Sequence, residues 1–71
     1  MPLRVAMKHA GNALENLVGY GHLDPKLAEQ FALELLEKGI GRQWALPVRA
    51  ACEDMLERIR VAALPGFAHF R

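Results

Sequence analysis

The sequence predicts an all-α fold, a small three-helix bundle with an aromatic C-terminal tail. In three segments, apolar residues recur at spacings of three and four, which is the helical period. Glycine pairs and a Pro-Gly step separate these segments, as breaks between helices do. The predicted helices span about residues 2–18, 25–38 and 47–63.

The chain is short enough to form only one domain. It has 71 residues and a mass of 7.9 kDa, so we expect residues 1–71 to form a single helical domain. Folding of a chain this size buries only about 60% of its surface, which makes an isolated monomer marginally stable. Leftover apolar surface favours association, and we expect a homodimer.

The first predicted helix begins at Pro2, because proline suits a first helical position where no backbone N–H is needed. Its charged and amide side chains lie opposite one apolar arc. Gly11 lies at the edge of this arc and costs about 1 kcal/mol of helix propensity relative to alanine, which indicates a packing contact there. The arc contains Leu3, Ala6, Met7, Ala10, Ala13, Leu14, Leu17 and Val18.

The second predicted helix has clear signals at both ends. Asp24 is a favourable N-cap and Pro25 follows it at the first helical position. Lys38 followed by Gly39 predicts the C-terminus, with Gly39 at C′. The apolar arc covers about half the circumference, so we expect this helix to lie centrally, in contact with both others. The arc contains Leu27, Ala28, Phe31, Ala32, Leu35 and Leu36.

The third predicted helix begins near Pro47 and ends before Pro65. Charged residues occupy the side opposite its apolar arc. Residues 42–46, which include Trp44, are predicted to form an irregular turn. The apolar arc contains Val48, Ala51, Cys52, Met55, Leu56, Ile59, Ala62 and Ala63.

The sequence offers little for catalysis. Glu53, Asp54 and Glu57 form an acidic cluster, but arginines at i±4 are typical of a solvated helix face rather than an acid/base pair. The chain contains no Ser or Thr, and Cys52 lies on an apolar arc where a buried, unreactive thiol is expected. The sequence therefore predicts that the protein is not an enzyme.

Metals, cofactors and membranes are not expected either. The three histidines do not pair in a zinc-binding pattern, and the glycines lack the context of a phosphate loop. One cysteine excludes an intramolecular disulfide, and no apolar run reaches the length of a membrane span. We therefore expect a cytoplasmic protein without cofactor, metal or small-molecule substrate.

Candidate partner-binding residues are apolar or aromatic side chains outside the predicted core, together with two arginines. Rigid aromatics in turns and tails can anchor interfaces, or they can cover an open core, and the sequence leaves both roles open. Leu33 is the apolar residue on an otherwise polar helix face, and the arginines could contact phosphate or an acidic partner. The candidates are Leu33, Trp44, Phe67, Phe70, Arg42 and Arg49.

The predicted function is that of a small regulator acting by stoichiometric protein–protein interaction. An inhibitor, adaptor or antitoxin-like protein of bacterial or phage type would use an apolar helix face or the aromatic tail. The alternative is a small helical DNA-associated transcriptional regulator that uses Arg42 and Arg49. The net charge of only +1 and the acidic residues between the arginines count against strong phosphate binding.

Two further similarities bear on the DNA-associated alternative. The segment from Leu14 to Leu27, with the helical layout and aromatic C-terminal end, is loosely similar to the Hha-type co-regulators of bacterial nucleoid proteins, and the second half departs from that pattern. A ribbon-helix-helix fold would use residues 18–23 as its strand. Two glycines in that stretch, and Pro47 in the corresponding second helix, count against it.

Overall fold

Residues 2–64 form a bundle of three α-helices of equal length. The computed structural model describes residues 2–64. Within that range there is no strand, so the ribbon-helix-helix interpretation is wrong; residues 18 and 19 are helical and residues 20–23 form a turn. The helices are α1 (Leu3–Gly19), α2 (Pro25–Gly41) and α3 (Leu46–Ala62), each of 17 residues.

The first turn of the chain closes α1 by backbone hydrogen bonds. The His22 N–H donates to the Leu17 carbonyl at 2.8 Å, and the Gly21 N–H donates to the Val18 carbonyl at 3.1 Å. This is a Schellman motif, which needs a left-handed residue at C′. Gly21 supplies it with φ of 77°, a conformation that costs glycine nothing.

The predicted start of α2 is confirmed. The Asp24 side chain accepts a hydrogen bond from the Lys26 N–H at 2.9 Å, and Pro25 occupies the first helical position. The predicted end is wrong, because the helix continues three residues past Lys38 to Gly41. Gly39 therefore lies inside the last turn rather than at C′.

The true end of α2 depends on Trp44. The backbone N–H of Trp44 donates to the Gly39 carbonyl at 2.8 Å, and the backbone N–H of Gln43 donates to the Ile40 carbonyl at 3.1 Å. Together these bonds form a second Schellman motif. Gln43 takes the left-handed C′ position with φ of 55°. The Trp44 ring packs so closely on Gly39 that a Cβ there would lie 2.6 Å from Cε3 of the ring. Gly39 is required for this close approach.

The central helix is α3, not α2. It packs against both other helices, whereas α1 and α2 scarcely touch each other. Gly11 of α1 faces Met55 of α3, and the predicted packing contact at this glycine is confirmed. Arg58 donates a hydrogen bond to Asn12, and Arg60 of α3 forms an ion pair with Glu29 of α2 at 3.3 Å. The first halves of α1 and α3 line one groove, so these helices are parallel, whereas the end of α2 and the start of α3 line another, so α2 is antiparallel to α3.

The helix α3 is central instead of α2 because the side chains that α2 buries are small. Helix α2 buries Ala28, Ala32 and Gly39, which allow a close approach to α3 but span too narrow an arc to reach α1 as well. By contrast, α3 buries a wide arc of larger residues. The core consists of Met7, Val18, Ala28, Ala32, Cys52, Met55, Leu56, Ile59 and Ala62.

We expect alanine to have opposite effects at Gly39 and Gly11, two of the buried glycines. Gly39→Ala should lower the free energy of unfolding by about 1–3 kcal/mol, because the new methyl group displaces Trp44. Gly11→Ala should raise it by up to about 1 kcal/mol, because alanine favours the helix and its Cβ would lie an ordinary 3.4 Å from that of Met55. Urea denaturation of both variants measures the difference, and equal signs would contradict the packing described.

The left-handed residue at position 43 gives a second prediction. Gln43→Gly should stabilise the protein by up to about 1 kcal/mol, because glycine removes the steric cost of φ near 55°. Gln43→Ala is the matched control, since it removes the side-chain amide but keeps the Cβ, and it should leave the stability nearly unchanged. Thermal unfolding of the three proteins compares them. Equal stabilisation by both substitutions would assign the effect to the amide instead.

Candidate functional site

The acidic cluster of α3 is a solvated helix face, as predicted. Glu53, Asp54 and Glu57 are all exposed. Asp54 forms an i,i+4 ion pair with Arg58 at 3.0 Å, with both side chains open to solvent. Within residues 2–64, no group of three or more His, Cys, Asp or Glu side chains is placed to hold a metal ion.

Cys52 is a core residue, as predicted. Its side chain is completely buried and makes no disulfide. Loss of solvent raises the pKa of the thiol above its ordinary value, and the neighbouring Glu53 carboxylate raises it further. Both effects disfavour the thiolate, which is the nucleophilic form.

The structure separates the predicted partner-binding residues. Leu33 is 39% exposed on α2, and Arg42 is exposed in the turn that follows. Trp44 is half-buried and packs on the core, which is one of the two roles that the sequence left open. Arg49 is half-buried in the first turn of α3. Phe67 and Phe70 lie outside the described residues.

One surface brings two of these residues together with others that the sequence did not single out. Leu36 and Ile40 of α2 and Leu46 of α3 form the apolar wall of a shallow depression of about 180 Å³, bordered by Arg49 and Glu53. Leu33 is three residues before Leu36 and seven before Ile40, on the same side of the helix. We call Leu33, Leu36, Ile40, Leu46 and Arg49 the outer surface.

The outer surface exposes large apolar side chains. Ile40 is 55% exposed and Leu46 is 70% exposed, more than any other large apolar side chain between residues 28 and 60. The spacing of Leu33, Leu36 and Ile40 is the sequence signal that could have identified this stripe. Leu46 was assigned to a turn, and its place beside Ile40 follows only from the packing of α2 on α3.

The Arg49 side chain at the border of this surface is not fully hydrogen-bonded within residues 2–64. Its Nε is buried and has no hydrogen-bond partner among residues 2–64. An unpaired buried donor is costly, and a guanidinium is best satisfied by a carboxylate. The outer surface therefore combines exposed aliphatic side chains with a guanidinium that forms no ion pair among residues 2–64, and Glu53 borders the same depression.

A different stripe on α2 points toward the opening between α2 and α1. Leu27 and Phe31 are 58% and 47% exposed, and Leu35 is half-buried against the core. Asp24 and Lys38, both exposed, extend the stripe at its two ends. We call Asp24, Leu27, Phe31, Leu35 and Lys38 the inner stripe. On a helical projection it lies roughly opposite the outer surface of α2.

A cleft lies between the first halves of α1 and α3. It has a volume of about 570 Å³ and is open to solvent. Arg4, Lys8 and His9 line one side, but Asp54 lies on the other and is already paired with Arg58. The apolar part of the lining consists only of Val5, Pro47, Ala50 and Ala51, so the cleft offers neither a charge-selective nor a strongly apolar site.

No family model matches the chain, and no curated protein or solved structure is significantly similar to it. Function must therefore be inferred from this chain's own geometry and chemistry.

None of the helices α1, α2 and α3 is both long and apolar enough to cross a bilayer.

Burial of Cys52 predicts slow modification. In the native protein, a thiol-reactive disulfide reagent should label Cys52 about 100-fold more slowly than in urea, because reaction requires the core to open. The control is Ala50→Cys in a Cys52→Ala background, an exposed position on the same helix. That thiol should react at the rate of the denatured chain. Rapid labelling of native Cys52 would contradict its place in the core.

Proposed function

We propose that this protein is a non-enzymatic regulator that works in the cytoplasm by binding another protein stoichiometrically through the outer surface. The observation that supports this is the exposure of Ile40 and Leu46 next to Arg49, with Leu33 exposed two turns earlier on the same side of α2. Single exposed leucines are common on monomeric proteins. Contiguous apolar residues with a charged border are instead characteristic of interaction sites.

The chemistry of the outer surface defines the kind of partner. An aliphatic or aromatic side chain of the partner fits the depression between Leu36, Ile40 and Leu46. A carboxylate of the partner next to this anchor would pair with Arg49, and a second could reach Arg42, which is exposed nearby in sequence. We therefore propose an acidic-apolar segment of another protein as the ligand, held as binding hot spots usually are, by a buried anchor with polar groups around it.

The proposal predicts which substitutions abolish binding. Ile40→Asp should reduce partner capture about tenfold or more, because it places a charge at the apolar contact. Val61→Asp is the matched control: Val61 is 37% exposed and, like Ile40, is the second-to-last residue of its helix, but it lies on α3 outside the outer surface. The measurement is a tagged pull-down from the source cell's lysate with and without nuclease, quantified by mass spectrometry.

The expected result is one protein recovered in near-stoichiometric amount, insensitive to nuclease, retained by Val61→Asp and lost with Ile40→Asp. Equal capture by wild type and Ile40→Asp would overturn the assignment of the outer surface. Recovery of nucleic acid, or of proteins lost after nuclease treatment, would replace it with the DNA-associated alternative. Arg42→Ala and Arg49→Ala should then weaken binding, which should also fall steeply with added salt.

A further inference from the structure

The residue spacings along the inner stripe of α2 are the same in both directions along the helix. From Asp24 through Leu27, Phe31 and Leu35 to Lys38, the successive spacings are three, four, four and three residues. Phe31 is at the centre, a leucine lies four residues away on each side, and the two ends carry opposite charges. At about 100° per residue, all five positions fall within an arc of about 80° on one side of the helix.

Residues 2–64 leave Leu27 and Phe31 of this stripe largely exposed, whereas Leu35 is half-buried against the core. The outer grooves of the bundle place Arg4 and Lys8 of α1 on the side away from α2, and Leu36 and Ile40 of α2 on the side away from α1. The inner stripe therefore borders the opening between α1 and α2, where these helices scarcely touch. Leu17 of α1 is 42% exposed, and its position on the helix places it at the same opening.

We propose that the inner stripe is the interface of a symmetric homodimer, in which α2 packs antiparallel on α2 of a second copy around a two-fold axis at Phe31. This arrangement places Phe31 against Phe31 of the second copy and Leu27 against Leu35 of the second copy, twice. A two-fold interface requires a self-complementary patch. The palindromic spacing of the stripe supplies one.

The charges favour a second copy over an unrelated partner. In the same arrangement, Asp24 lies opposite Lys38 of the second copy, and Lys38 lies opposite Asp24 of the second copy. Asp24 uses Oδ1 to cap its own helix, so Oδ2 is available for Lys38. Neither residue makes an ion pair within residues 2–64, and the net charge of +1 produces little repulsion between copies. This inference deepens the proposed function, because it also rests on the exposed faces of α2 as interaction surfaces. The dimer uses the inner stripe, on the side of α2 opposite the outer surface.

The test is sedimentation equilibrium of the full-length chain across a micromolar concentration range. We expect a species of twice the 7.9 kDa monomer mass. Phe31→Asp should raise the dimer dissociation constant at least about 30-fold, the effect of losing a central hot spot. Helix content by circular dichroism should be retained, because Phe31 is already 47% exposed in the monomer.

Variants of Asp24 and Lys38 distinguish an effect on the dimer from an effect on folding. Asp24→Asn keeps a good N-cap but removes the charge, and Lys38→Glu reverses the charge at the other end. Each should weaken the dimer several-fold, and salt should reduce the difference from wild type. Lys26→Glu is the control, because it makes the same charge change on the opposite side of α2 and should leave dimerisation unchanged.

Disulfide crosslinking tests the position of the two-fold axis. In a Cys52→Ala background, Phe31→Cys should oxidise to a disulfide-linked dimer, whereas Leu33→Cys on the outer side should not. A monomer at all concentrations overturns the inference, as does a dimer that is insensitive to Phe31→Asp and crosslinks at position 33. If the chain is monomeric at all concentrations, the inner stripe would instead be available to another protein or to the C-terminal segment. Ile40→Asp should remain dimeric, so loss of partner capture in that variant would not result from loss of the dimer.

Discussion

The structure depends on the close approach of α3 to both of its neighbours through small residues. Gly11 allows α1 to reach Met55, and Ala28 and Ala32 allow α2 to lie against α3. At the end of α2, Gly39 has no side chain, which leaves room for the Trp44 ring to pack against it. The backbone of Trp44 then bonds to Gly39 and ends the helix. Small residues at a helix interface bring the backbones together, but they bury little apolar area per residue. The core is consequently well packed and small.

The same constraint explains why α2 has two apolar surfaces. Because Ala28, Ala32 and Gly39 occupy the side that faces α3, the larger residues of the helix are displaced to its two flanks. One flank carries Leu27 and Phe31, and the other carries Leu33 and Ile40 with 39% and 55% exposure. A helix that buried its leucines against α3 would have neither surface. The stability given up in the core leaves apolar area available for association.

The sequence predicted the helices well and their arrangement poorly. Local signals were sufficient for the Asp24 cap, the turn at Gly21 and the burial of Cys52, since each depends on residues close in the chain. The end of α2 was missed because the left-handed residue is Gln43, a type that seldom takes this conformation, and because Trp44 makes Gly39 an interior residue. The choice of α3 as the central helix depends on which side chains meet across helices. A helical projection of each segment alone does not contain that information.

The two flanks of α2 also explain how one short helix could serve two associations at once. They lie on nearly opposite sides of the helix, so pairing of α2 through Phe31 leaves Ile40 and Leu46 free in both copies. A symmetric dimer would then present two identical outer surfaces. Two linked sites raise the effective concentration for a partner that is itself dimeric or repeats its binding segment, provided that its spacing allows both to engage. For such a partner, dimerisation of this chain would increase avidity without any change at the contact itself, so weakening the inner stripe would lower partner affinity although it touches no partner residue.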